Sequence, residues 1–207
     1  MRAIRGSIRM RYEVIVRDKN GKVSHRERRF CNSFVTNFVK WLRGWFTVAL
    51  IGYPIPSYSA NDTGNVGRTI PVTGTQLASN FGFFQANVND DTHGICVGTS
   101  NQAVSPADYN LVGKIAHGTG AGQLVHGAQT YEAIEVVDNN SKWRNTRPFT
   151  NNSGSTITVK EIGIIFGMLD TGSATRYFLS CRDVLASPVD VPDGSTLTVR
   201  YTVQVTA

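Results

Sequence analysis

Apolar and charged residues alternate near the start of the chain. Ile8, Met10, Tyr12, Val14 and Val16 occupy every second position between Arg9, Arg11, Glu13 and Arg17, with Ile15 the one interruption. A period of two marks a strand with one buried face. Asp18-Lys19-Asn20-Gly21 then supplies a hairpin turn, because Asn and Gly tolerate the positive φ that such turns need. Residues 23–30 return as the partner. Arg26 and Arg28 on one face and His25, Glu27 and Arg29 on the other leave it polar on both sides, which predicts an edge or subunit-contact strand. The period then changes: Phe34, Phe38, Trp41, Leu42, Trp45 and Phe46 recur at helical spacing behind Asn32 or Ser33 as N-cap. This predicts an amphipathic helix with an aromatic stripe, packed on a sheet and in part meeting another subunit. Lys40 and Arg43 interrupt the run, and a membrane span needs ~20 predominantly apolar residues, so no membrane contact is expected.

Periodicity is lost over residues 51–91, which contain Pro54, Pro56, Pro71, repeated glycines and many Ser, Thr and Asn. Loops beyond ~12–15 residues are uncommon inside compact domains and tend to be functional or mobile. The segment reads as an arm, but Phe81, Phe83 and Phe84 require cover, so part of it docks, either across a neighbouring copy or back on its own domain. Strand patterns resume at 94–98, 129–137, 143–149, 156–166, 176–185 and 195–206, separated by turns at 151–154, 170–173 and 192–195. Between Ile157, Val159 and Ile162, Ile164, Phe166 the apolar phase slips by one residue, which would turn the side chains to the opposite face unless a bulge at Lys160-Glu161 corrected it. The expected fold is mainly β: a two-sheet β-sandwich or jelly-roll-like domain with one N-terminal amphipathic helix and a long extended arm. One domain spans 1–207, with a basic hairpin plus helix in 1–50, the arm in 51–92 and the sandwich core in 93–207.

Composition supports a turn-rich globular chain, with 41% hydrophobic residues, 17% charged residues and 20 Gly in 207 residues. The net charge of +6 is uneven. Residues 1–50 hold 12 basic and 3 acidic groups, leaving 9 and 12 for the rest. A solvated face explains this best, an acidic protein neighbour next and nucleic acid third. Cys31, Cys96 and Cys181 are odd in number and widely spaced, which argues against a disulfide framework and for a reducing compartment. The first residues lack the apolar core of a signal peptide.

Candidate chemistry is sparse. His25, His93, His117 and His126 lack the paired spacing of metal ligands. The glycines of 118–122 carry no following Lys-Ser or Lys-Thr pair to make a phosphate loop. Asp90, Asp91, Glu132, Glu135, Asp183 and Asp190 are scattered among turns, as solvated or capping carboxylates are, and Gly-x-Ser-x-Gly is absent. No catalytic residue, metal or cofactor is assigned, and the chain is not expected to be an enzyme. The basic run Arg26, Arg28, Arg29 suits phosphate contact, but its aromatic neighbours lie at helical rather than strand spacing, unlike a single-strand stacking surface.

Several blocks of the second half recur in a recognisable order: Gly94-Ile95-Cys96-Val97-Gly98-Thr99, Asp108-Tyr109-Asn110-Leu111, His126-Gly127, Arg147-Pro148-Phe149-Thr150-Asn151, Glu161-Ile162-Gly163, Arg182-Asp183-Val184-Leu185 and Pro192-Asp193-Gly194 followed by the last strand. Together they resemble small β-rich structural (virion) proteins of tailed bacteriophages. Pro148 departs from the pattern and leaves open whether its strand is central or at an edge. The resemblance implies a virion protein made in the host cytoplasm and assembled as repeated copies with other virion proteins, in tail, neck or baseplate rather than on the capsid surface. Arg26, Arg28, Arg29, Phe81, Phe83 and Phe84 are then candidate contacts to a subunit or acidic partner. The alternative is a receptor- or carbohydrate-binding module of a fibre or baseplate, with Tyr53, Tyr58 and Trp143 as candidate loop contacts.

Overall fold

The computed structural model describes residues 7–31, 33–46, 57–71 and 84–206, with no side-chain description for 45 and 46. They form twelve strands and one helix: β1 (Ser7–Arg17), β2 (Val23–Phe30), α1 (Thr36–Phe46), β3 (Ser57–Asn61), β4 (Gly67–Pro71), β5 (Gly94–Gly98), β6 (Val125–His126), β7 (Thr130–Tyr131), β8 (Glu135–Val137), β9 (Asn140–Thr150), β10 (Ile157–Leu169), β11 (Thr175–Val191) and β12 (Thr196–Thr206). The chain is therefore mainly β, and all pairings between these strands are antiparallel. A seven-stranded sheet runs β2-β1-β12-β9, with β6, β7 and β8 paired in turn along the far side of β9. A three-stranded sheet runs β11-β10-β5, and β3-β4 is a separate hairpin.

The alternation of β1 explains the main core. Tyr12, Val14 and Val16 face inward with Leu197, Val199, Tyr201 and Phe149 of the large sheet, against Ile95, Val97, Ile162, Ile164 and Val189 of the small one. The Asp18 turn closes as expected: the Gly21 amide donates to the Asp18 carbonyl at 2.9 Å, Asp18 Oδ1 accepts from Asn20 and Lys22, and Gly21 has φ +81°. β2 is an edge of the large sheet.

The phase slip in β10 has the expected remedy. Val159 lies opposite Val189, but Glu161 lies opposite Val184, so Lys160 on β10 and residues 185–188 on β11 are extra. Ile157, Val159, Ile162 and Ile164 consequently share one core. Most of the extra chain belongs to β11, which the β10 sequence alone does not reveal.

β9 is a central strand despite Pro148. Gly127 N–H donates to the Pro148 carbonyl at 2.9 Å, so the proline faces the interval between β6 and β7, where it has no N–H to return. Arg147 Nε donates to the Gly127 carbonyl at 3.0 Å instead. Proline's missing donor is replaced from the neighbouring side chain, and the strand remains internal.

Three expectations are revised. The helix begins at Thr36 rather than behind Asn32 or Ser33, because residues 33–35 run along β11: Arg182 N–H donates to the Ser33 carbonyl and Val35 N–H to that of Ser180. The expected strand 129–137 shortens to β7 and β8, each paired to β9. Within the expected arm, 57–71 is a hairpin whose Ala60 and Ile70 pack with Phe166, Met168 and Phe178, partly covered by Trp41, Tyr58 and Phe84. No helix among the described residues is long and apolar enough to cross a membrane.

Candidate functional site

The inner face of the large sheet is longer than the small sheet that covers it. Ile8 pairs with Val205, Val205 with Ser141, and Ser141 with Val136, forming one row across β1, β12, β9 and β8 beyond the core. Ile8 is 78% exposed and Val136 68%. Between this overhang and α1 lies an apolar groove of about 360 Å³, lined by Ile8, Met10, Phe34, Phe38, Trp41, Phe84, Tyr131, Trp143 and Val203 among others. The rings gather on one side: Phe34, from the stretch paired to β11 before α1, stacks on Phe38 of the helix at 4.5 Å, and Trp41 of the helix meets Phe84 edge-on at 5.6 Å. On the sheet side Tyr131 and Trp143 lie 5.8 Å apart.

The outer face of the same sheet carries arginine. Arg11, Arg28, Arg144 and Arg200, from β1, β2, β9 and β12, surround a polar depression of about 190 Å³ with Tyr12, Glu13 and Thr202. Its charge is partly balanced: Arg200 reaches Glu13 at 3.0 Å, Arg144 binds Glu132, and Arg26 lies 3.5 Å from Glu13. Arg11 sits over the Phe30 ring, 4.6 Å from its centroid.

The predicted contact residues separate accordingly. Arg26 and Arg28 join the outer face, whereas Arg29 pairs with Glu27 of its own strand at 2.7 Å. Phe84 and Trp143 meet in the groove, with Trp143 on a strand rather than a loop. Tyr58 is mostly buried, its hydroxyl donating to Met168 Sδ at 3.3 Å, and burial raises its pKa. Tyr53, Phe81 and Phe83 lie outside the described residues.

The motif blocks converge inside the protein. Arg182 and Glu161 are fully buried and 2.5 Å apart, and Arg182 reaches Asp108 at 2.8 Å. Glu161 also accepts from the amides of Gly113 and Val112, and Arg182 donates to the Gln102 carbonyl. The triad thereby fastens residues 102–113 over the outside of the small sheet, with Leu111 packed on Cys96, Ile165 and Leu179. Gly98 permits this approach, because a Cβ there would lie 2.4 Å from Glu161 Oε1. The second centre is Arg147, also fully buried, which donates to the carbonyls of His93, Ile95, Asn87, Asp90 and Gly127. Burial lowers its pKa. His126 packs edge-on against Phe149 at 5.0 Å, and Asn151 Nδ2 donates to the carbonyls of Ser155 and Val191.

Asp-Thr-Gly occurs twice, at 62–64 and 170–172, each time with Arg six residues after the Asp. Paired Asp-Thr-Gly loops invite comparison with a carboxylate dyad, which needs one raised pKa. Here Asp62 accepts from the amides of Gly64 and Val66 and pairs with Arg68 at 2.7 Å, while Asp170 accepts from Gly172 and Ala174 and pairs with Arg176 at 2.8 Å. Burial opposes ionisation of Asp62, but these bonds outweigh it, and bonding to Arg176 leads in Asp170, so both pKa values are lowered. The two loops are joined through Thr63 N–H to the Tyr177 carbonyl and Thr171 N–H to that of Thr69. They are turn anchors.

Other candidates have structural employment. The glycine segment closes on itself, Gly118 N–H donating to Leu124 and Gly120 N–H to Gln123 Oε1. His117 Nδ1 accepts from the His126 amide, and His93 lies 3.1 Å from Asp90 while stacked on Tyr177. The buried arginines were not signalled by hydropathy, although both stand in the motif blocks, at Arg147 and Arg182. No protein family, curated protein or solved structure matches this chain.

Proposed function

We propose that this protein is a structural subunit of a tailed-phage or phage-like particle, assembled as repeated copies and with other virion proteins. The carrying observation is the uncovered apolar overhang beside the aromatic groove, since large exposed apolar patches mark interaction surfaces. The finer fold reading is a two-sheet sandwich whose large sheet reaches past the small one to present that surface. The motif blocks support a structural role because they build buried networks. Among the described residues, the aromatics proposed for carbohydrate contact are packed (Tyr58) or set in a strand (Trp143), so assembly is favoured over a receptor-binding module. The arginine face suits an acidic neighbour, with nucleic acid second.

Light scattering behind a sizing column should give one discrete multimer. If the overhang holds it, high salt leaves it intact, whereas contacts through the arginine face weaken with salt. Ile8→Lys with Val136→Lys should shift the mass to the monomer with an unchanged urea midpoint, because exposed substitutions away from special features cost within about 0.5 kcal/mol. A wild-type monomer at every concentration overturns self-assembly.

A further inference from the structure

The sulfurs of Cys31 and Cys181 and a carboxylate oxygen of Asp183 lie within 4.8 Å of one another inside the fold. Cys31 and Asp183 are 4% and 5% exposed, and Cys181 is fully buried. Sequence spacing hid the group, because Cys31 follows the edge strand β2 while Cys181 and Asp183 are alternate residues of β11, and only the packing of the two sheets brings them together. Tyr201 is the fourth participant. It is 1% exposed, its hydroxyl has no hydrogen-bond partner among the described residues, and burial first, then Cys181, Asp183 and Cys31, raise its pKa.

We propose that Cys31, Cys181 and Asp183, with the Tyr201 hydroxyl beside them, form a binding site for one thiophilic divalent cation of the zinc class. Two thiolates and a carboxylate are a suitable donor set for such an ion, and sulfurs on a tetrahedral zinc stand about 3.8 Å apart, so rotamer adjustment suffices to close the site. The Tyr201 hydroxyl completes it as a fourth ligand or by donating to a bound thiolate. Contact with Cys181 and burial push the Cys31 thiol far up. Cysteine ligates as the thiolate, so binding exchanges thiol protons for the cation and leaves the oxidation state of sulfur unchanged. A disulfide would employ the two sulfurs alone, whereas the cation employs all four groups. Bound there, the ion would tie the end of β2 to β11, across the two sheets.

The test uses the full-length protein, reduced and stripped with chelator, titrated with Co2+ and then Zn2+. Expected are one Co2+ per chain, a sulfur-to-cobalt charge-transfer band with tetrahedral ligand-field bands, their loss on Zn2+ addition, and a melting temperature raised by Zn2+. Cys181→Ser and Asp183→Asn should weaken uptake at least tenfold, while Cys96→Ser, which removes the one cysteine outside the group, should leave it unchanged. Failure of folded, reduced wild type to take up either ion overturns the proposal without reliance on any variant. So does charge-transfer intensity per bound Co2+ that is undiminished in Cys181→Ser, or a Cys31–Cys181 disulfide found by non-reducing mass spectrometry in protein purified without oxidant.

Discussion

Replacing Glu161 with alanine is expected to lower the unfolding free energy by about 3–5 kcal/mol, the usual cost of breaking a buried ion pair by removing one partner. Arg182 is fully buried and would retain Asp108 as its one carboxylate. The amides of Gly113 and Val112 would lose their acceptor together, so the cost includes stranded donors as well as an under-compensated charge. Domains of this kind have roughly 5–15 kcal/mol in total. Urea titration measures the change, and proteolysis should show segment 102–113 cut first, since the triad fastens it. Glu161→Met combined with Arg182→Met should cost less than either single change, because neither a fully buried arginine nor a fully buried glutamate is left without its partner, and Asp108 keeps the Ser105 amide. A single-variant loss under about 1 kcal/mol would show that the triad does not hold the segment.

Acidification from pH 6.5 to pH 4 is expected to remove about 3 kcal/mol through His126 alone. Its ring is fully buried, and burial first, then the Arg147 charge, lowers its pKa from 6.5 to about 4. The folded state thus resists a proton that the unfolded chain accepts below 6.5. The stabilisation is complete above that pH and is lost as pH falls toward 4, where the folded ring also protonates. Subtracting the unfolding free energies of His126→Gln from those of wild type cancels the other titrating groups, and this difference should itself change by about 3 kcal/mol between pH 7 and pH 4. A pH-independent difference would mean that the imidazole is solvated in the fold.

Local signals in the sequence were readable where one residue or one short period decides the outcome. The β1–β2 hairpin, the bulge at Lys160 and the turns at 151–154, 170–173 and 192–195 depend on nearby residues, and all appear in the structure. What could not be read depends on distant partners. The helix start moved because β11 takes up the backbone of residues 33–35, and residues 132–134 fall outside the strands because pairing to β9 is discontinuous. Arg147 and Arg182 appear in a hydropathy pattern as surface charges; only their partners, 52 to 80 positions away for several bonds, show them to be interior. The aromatic stripe announced that a surface would be covered, and the groove shows that sheet and helix share that surface. The Cys31, Cys181 and Asp183 group had no signature in spacing at all.

The replacement of a proline donor by Arg147 also governs how the large sheet can grow. Its β9 side ends in three pieces of two, two and three residues, interrupted at Gly127 and again before Glu135, and edges so short are poor templates for another strand. Among the described residues β2, with eight residues, is the one long free edge of that sheet. Strand addition therefore has one address and no outlet. Two copies joined edge to edge at β2 would form a closed two-fold pair, not a fibre. Any larger homo-oligomer of this chain would then have to use surfaces other than the edges of the large sheet.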